Sequence, residues 1–174
     1  MRADAMRNRE RILTSAVQLF AEHGPDVQMC EIAQAAGLGV GTLYRHFPDR
    51  RALALNIGAD ALHNLTDFAR AARKCENTAW NELHAIIRHC ATLPLALAKS
   101  LSALVPDDAG LTALEHTVDD LLTNLVDRAQ QEGTLRPDIP PREVVHLLSV
   151  VICRPGARPD DYLTVVMLDG LRAN

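Results

Sequence analysis

The chain has 174 residues, 48% hydrophobic and 23% charged, with a formal net charge of −4, a soluble globular composition that excludes bulk disorder. No apolar run approaches the length of a membrane span, and the N-terminal MRADAMRNRE lacks the apolar stretch of a signal peptide, so a cytoplasmic location without a membrane partner is expected. Cys30, Cys75, Cys90 and Cys153 are scattered without a CxxC or similar spacing and read as free thiols rather than disulfides or metal ligands.

The first helix is expected from about residue 4 or 6 to His23, with Leu13, Ala16, Val17 and Phe20 on one face, and Gly24 and Pro25 stopping it. EIAQAAGLG (31–39) supplies a short second helix and a glycine-containing turn, and the distance from Ile32 to Leu43 suits a helix-turn-helix. In GTLYRHFPDR (41–50), Leu43 and Phe47 lie one turn apart and share the core face, at about 100° per residue. Gly41, Thr42 and Arg45 then face outward, while Tyr44 and His46 flank them, aimed at the two sugar-phosphate walls of a major groove. Gly41 leaves room for close backbone approach, Thr42 offers a methyl and a hydroxyl, and Arg45 can make two hydrogen bonds to a guanine edge. Pro48 stops this helix and Asp49 caps the next, placing Arg50 and Arg51 in a first turn suited to phosphate.

Charge is divided accordingly. Residues 1–51 hold seven arginines against six acids, or +1, while the remainder holds eleven basic against sixteen acidic residues, or −5. The basic charge therefore gathers at the N-terminal arm and around the recognition helix, and the acidic body is repelled by DNA. Arg7, Arg9 and Arg11 read equally as a solvated helix face or as an arm on phosphate or the minor groove.

A long fourth helix, 49 to about 72, carries Leu53, Ile57, Ala61, Leu65 and Phe68 at spacings of three and four. After a polar break at 73–78, Trp80, Leu83, Ile87 and Cys90 form the stripe of a helix that Pro94 kinks or ends. A short segment (95–105) closes at Pro106-Asp107-Asp108. Leu111, Leu114, Val118, Leu121, Leu122, Leu125 and Ala129 mark a helix to about residue 131, with Gly133 as its stop. Pro140 and Pro141 open VVHLLSVVIC, apolar around most of its circumference, and after RPGARPD a last helix (160–172) bears Leu163, Val166, Met167 and Gly170.

The block from about residue 9 to 57 resembles the TetR family of bacterial transcriptional regulators, through RILTSAVQLFAEHG, EIAQAAGLGVGTLYRHF and PDRRAL. The resemblance implies that the first three helices bind DNA, with Tyr44, His46 and Arg50 on phosphates and Val40, Gly41, Thr42 and Arg45 at the groove floor. Gln28 replaces a common phosphate-touching threonine, and Gly39 a common serine or threonine; glutamine can still donate to a phosphate, whereas Gly39 offers only its amide. It also implies a ligand cavity near the fourth to seventh helices, here involving Phe68, Trp80, Leu83, His84, Ile87, His89 and Thr117, with His116 beside it, although without the resemblance the Trp80 stripe reads more often as plain core. Finally it implies a homodimer through the last two helices, at Val144, Leu148, Val151, Leu163, Val166 and Met167. The all-round apolar helix after Pro141 supports that interface, deep burial within one chain being the alternative.

The expectation is thus an all-α chain: a three-helix helix-turn-helix head (1–48) and a helical ligand-binding and dimerisation body (49–174). Its expected function is sequence-specific transcriptional regulation, as a repressor released from double-stranded operator DNA by a small-molecule effector. The alternatives are a ligand-independent or architectural DNA-binding protein, and a helical small-molecule enzyme with a DNA-binding-like head. No enzyme motif (GxSxG, P-loop, GxGxxG) occurs, Ser100 and Ser102 have no nucleophile partner, and His84 and His89 diverge by about 140° around a helix with no HExxH frame. Catalysis, cofactor and metal are therefore not expected.

Overall fold

In the computed structural model, which describes residues 2–24, 26–75, 78–102, 104–105 and 108–173, the regular elements are helices. In chain order they are α1 (Arg2–His23), α2 (Met29–Ala35), α3 (Val40–His46), α4 (Arg50–Cys75), α5 (Ala79–Cys90), α6 (Leu95–Ser102), α7 (Ala109–Gln131), α8 (Pro141–Ile152) and α9 (Tyr162–Leu171). The expected all-α order is observed, with α1 starting earlier and α4 running longer than the sequence pattern suggests. Pro25, residues 76–77 of the polar break and the breaker pair Pro106-Asp107 lie outside the described residues.

Two compact units divide the chain: Met1–Gly58 with Leu97–Pro106, and Ala59–Ala96 with Asp107–Asn174. This division differs from a cut between residues 48 and 49, because the head core needs more than three helices to close. Ile12, Ala16 and Phe20 of α1, Ile32 and Ala33 of α2, and Leu43 and Phe47 share one core with Leu53, Ala54 and Ile57 of α4. Leu101 of α6 is buried in the same core, with Leu97 against it. α4 and α6 therefore each begin in one unit and end in the other.

Local chemistry sets the helix ends within the head. The Glu31 carboxylate accepts the Gln28 amide at 3.0 Å, closing the start of α2. At its end Gly37 adopts φ 64°, the Gly37 amide donates to the Gln34 carbonyl and the Leu38 amide to the Ala33 carbonyl. That paired closure is a Schellman turn, and it makes Gly37 the residue that aims α3. A Cβ on Gly37 would meet the Arg11 guanidinium at 2.6 Å as well as carry the backbone strain. Asp49 accepts the Ala52 amide at 2.7 Å and so caps α4.

In the second unit α7 packs against both α5 and α8, and α8 against α9. Buried Glu82 of α5 pairs with Arg128 of α7, and Glu132 accepts the Ala79 amide at 2.8 Å, so the first turn of α5 is tied to α7 and its cap. α7 ends in a second Schellman turn at Gly133, φ 69°. The link that follows is held by the Gln130 side chain, which donates to the carbonyls of Arg136 and Ile139 at 2.9 and 2.8 Å. The Asp161 carboxylate accepts the amides of Thr164 and Arg158 and pairs with Arg154, which caps α9 and holds this carboxyl well below the usual carboxylate range.

His84 of α5 has a pH consequence. Burial of the imidazole, then the nearby positive charges of Arg88 and Arg172, hold its pKa below the ordinary value, with Asp169 opposing them. The unfolded chain takes up this proton first as pH falls. The group's contribution to stability is therefore full above about pH 6.5 and is lost as pH drops through that value toward the folded pKa. Denaturant titrations between pH 8 and pH 5 are expected to show a smaller acid loss for His84→Gln than for the wild type. Equal losses would show that His84 titrates no differently in the folded chain.

Candidate nucleic-acid interface

α3 has only seven residues. Its inward stripe is complete: Leu43 is fully buried and Phe47, which caps the helix end, is 1% exposed. Gly41, Tyr44 and Arg45 are exposed, and Thr42 and His46 are half-buried at the margins. Gly39 and Val40, at the leading end, are also exposed. The outward arc thus carries a hydroxyl, a phenol, a guanidinium and an imidazole around a stretch of bare backbone, a set suited to base edges and phosphates.

Several residues read as DNA ligands from the sequence are engaged inside the head. The Arg50 guanidinium donates to the Val27 carbonyl at 2.6 Å and the Asp26 carbonyl at 3.4 Å, bracing the α1–α2 connection against the start of α4. Arg9 donates to Asn56, whose amide group in turn donates to the Ala52 carbonyl at 2.8 Å. The Arg9 guanidinium also lies 5.8 Å from the centre of the Phe47 ring. Arg9 is thereby a brace between α1, the end of α3 and α4, a role that spacing alone gave no signal for. Arg7 pairs with Asp4 at 2.5 Å on the exposed face of α1. Gln28, exposed at the start of α2, accepts a weak contact from the Cys30 thiol at 3.6 Å through its side-chain oxygen.

The body residues fall into separate groups. Phe68 of α4 stacks on His89 at 3.9 Å with an interplanar angle of 8°, and Trp80 meets His84 edge-on at 4.8 Å. The Nε2 atoms of both histidines are buried without a hydrogen-bond partner among the described residues. Leu83 and Ile87 are buried, and Ile87 also lines a cavity of about 10 Å³ with Ala91, Ile152 and Thr164. Thr117 and His116 do not join these groups: both are exposed, and the Thr117 hydroxyl donates to the Ala113 carbonyl of its own helix. Burial pushes the Cys90 thiol up to about 12, with Cys153 adding to it, so Cys90 stays protonated and inert at neutral pH. The described residues contain no group of three or more His, Cys, Asp or Glu side chains placed to hold a metal. Nor do they contain a helix long and apolar enough to cross a membrane.

The expected interface residues divide in two. Val144, Leu148 and Val151 are buried within the chain, on the face of α8 turned inward, and so are not available to a second copy. The reason is register: positions 144, 148 and 151 repeat at helical spacing toward the core, leaving Leu147 and Val150 on the neighbouring stripe, exposed. On α9, Leu163 and Val166 do face outward, at 51% and 67% exposure, with Tyr162 and Val165 beside them and Met167 half-buried.

Comparison with known proteins agrees with this arrangement. Residues 12–57 match the family model for bacterial regulatory proteins of the tetR family, and residues 75–173 match that for the C-terminal domain of SbtR-like transcriptional regulators. An HTH-type transcriptional regulator of Staphylococcus aureus (strain bovine RF122 / ET3-1) is 47% identical over 58 residues, covering 33% of this chain and 31% of that protein. The chain thus matches less than a third of the length of such curated relatives. A TetR transcription regulatory protein from Mycobacterium vanbaalenii is 34% identical, with 99% of each chain covered and a TM-score of 0.70. AibR, solved in complex with isovaleryl coenzyme A and operator DNA, shares the fold at 21% identity and a TM-score of 0.67, over 94% of this chain and 95% of its own. With both halves matched and a relative of this identity aligned end to end, the chain belongs to the TetR family of bacterial transcriptional regulators.

Proposed function

We propose that this chain acts in the cytoplasm as a homodimeric repressor, binding a pseudo-palindromic operator through α3 and leaving it when a small molecule occupies the body. The observation that carries the DNA reading is the division of α3 into a buried Leu43–Phe47 stripe and an outward face of Gly41, Thr42, Tyr44 and Arg45. Gln28, Gly39, Val40, His46 and Arg50 complete the proposed contact set, Arg50 serving the head as a brace as well. Regulation rather than catalysis is favoured by the protonated, buried Cys90 and by family membership. In quantitative gel shifts, Arg45→Ala is expected to cut discrimination between operator and unrelated DNA by about 1–3 kcal/mol, the value of one bidentate guanine contact. Tyr44→Phe removes only a hydroxyl and is expected to weaken all duplexes alike. Unchanged binding in both variants would show that another face meets the DNA.

The dimer is assigned to a second copy of this chain seated on the outward stripes of α8 and α9, because Leu147, Val150, Leu163 and Val166 gather exposed apolar side chains there. Val166→Glu places a charge in that seam and is expected to yield monomers by light scattering at micromolar concentration. A dimeric Val166→Glu protein, or a monomeric wild type, removes this face from the proposal.

An effector is assigned to the body around Phe68, Trp80, Leu83, His84, Ile87 and His89, where two buried imidazole nitrogens have no hydrogen-bond partner among the described residues. Coupling is supported by continuity: α4 and α6 both enter the head unit, and Leu101 of α6 is part of the head core. Ligand and operator must weaken one another by the same factor. A thermal-shift screen of metabolites is expected to find stabilisers that also release operator, and Leu101→Ala is expected to loosen that link. Stabilisers that leave the gel shift untouched would establish a pocket without regulation.

A further inference from the structure

Gly39 and Gly41 flank Val40 at the leading end of α3, and nothing among the described residues requires either to be glycine. Gly39 has φ −69° and ψ 143°, an extended conformation open to any residue, and neither glycine is among those with positive φ. Beyond its own chain neighbours and helix backbone, a Cβ added at either position would find no heavy atom of the described residues within 4 Å. Glycine inside a helix, as at Gly41, is otherwise a weakening choice, and at the N-cap Gly39 forgoes the side-chain cap that Ser, Thr, Asp or Asn would supply. The need met by two bare positions therefore lies outside the chain, in close approach of a surface to the backbone.

Between them stands one side chain. Val40 is 40% exposed, aliphatic, and unable to hydrogen-bond. In a DNA major groove the base edges present donors and acceptors, and the thymine 5-methyl is the one alkyl group among them. An aliphatic side chain pressed against a polar edge strips its water without replacing it, whereas against a methyl it removes two apolar surfaces from water together. From this geometry, and resting on the DNA-binding reading above, we infer that Val40 reads a thymine 5-methyl group in each half-site, with Gly39 and Gly41 admitting the base edge to contact. Specificity at the leading end of α3 is thus by shape and methyl contact, and hydrogen-bond readout is left to Thr42 and, in the last turn, Arg45.

The test uses the full chain and duplexes selected by it from a random-sequence pool. In the selected duplex each thymine is replaced singly by deoxyuridine, which deletes the methyl and keeps every hydrogen-bonding group. One thymine per half-site is expected to respond, with affinity falling about fourfold, the value of one buried methyl-sized group. Val40→Ala, at an exposed position where alanine favours the helix, is expected to bind more weakly and to lose the distinction between thymine and deoxyuridine. The distinction is expected to survive in Thr42→Ser, which removes the other outward methyl of α3. Indifference of the selected site to deoxyuridine at every position overturns the inference, and so does a thymine effect that persists undiminished in Val40→Ala. A pool from which no sequence is enriched overturns the DNA-binding reading itself, a separate result.

Discussion

A seven-residue helix has no stability of its own, and α3 is held only by what it buries. Leu43 and Phe47 are its anchors, and the core that receives them is assembled from α1, α2, the first turns of α4 and Leu101 of α6. Each added apolar contact in that core removes freedom from α3, so the pose of the outward residues is a product of burial on the other side. The polar fittings around it refine the same pose. The Gly37 turn sets the angle at which α3 leaves α2, and Arg9 and Arg50 tie the end of α3 and the start of α4 to α1 and the α1–α2 connection.

The second unit solves a different problem, that of hiding helices with more apolar surface than one face can use. α7 provides the inner surface for both α5 and α8, and the Glu82–Arg128 pair fixes α5 on it. With Glu82 buried and Arg128 about one-third exposed, the pair draws its value from geometry and partner satisfaction rather than from net stabilisation, since desolvation of the carboxylate offsets much of the attraction. α8 is apolar on two stripes: one closes the core, and the other, continued by α9, is left to solvent in a single chain. That surplus supports assembly with a second copy, and it has the same origin as the ambiguity of the segment when read as sequence.

Helical periodicity and capping chemistry act over one to four residues, and what depends on them was legible. The order of the helices, the inward Leu43–Phe47 stripe, the Asp49 cap and the Gly133 stop all follow from local rules. Properties that depend on distant neighbours were not. In VVHLLSVVIC two stripes are equally apolar, so periodicity cannot say which one α7 receives, and Val144, Leu148 and Val151 proved to be the inner set. Thr117 shares a helix with core residues yet faces water, because one turn of a helix samples every direction.

By itself, then, the sequence determined the helical class, the position of the helix-turn-helix and the polarity of its outward face, since these rest on residue type and spacing within a few turns. Tertiary structure alone decided that Leu101 of α6 belongs to the head core, that Arg9 and Arg50 are engaged within the head, and which stripe of α8 stays exposed. The physical reason is common to all three. A guanidinium, a leucine or an apolar stripe has the same chemistry wherever it stands, and only the elements that fold back against it settle whether that chemistry is used within the chain or offered to a partner.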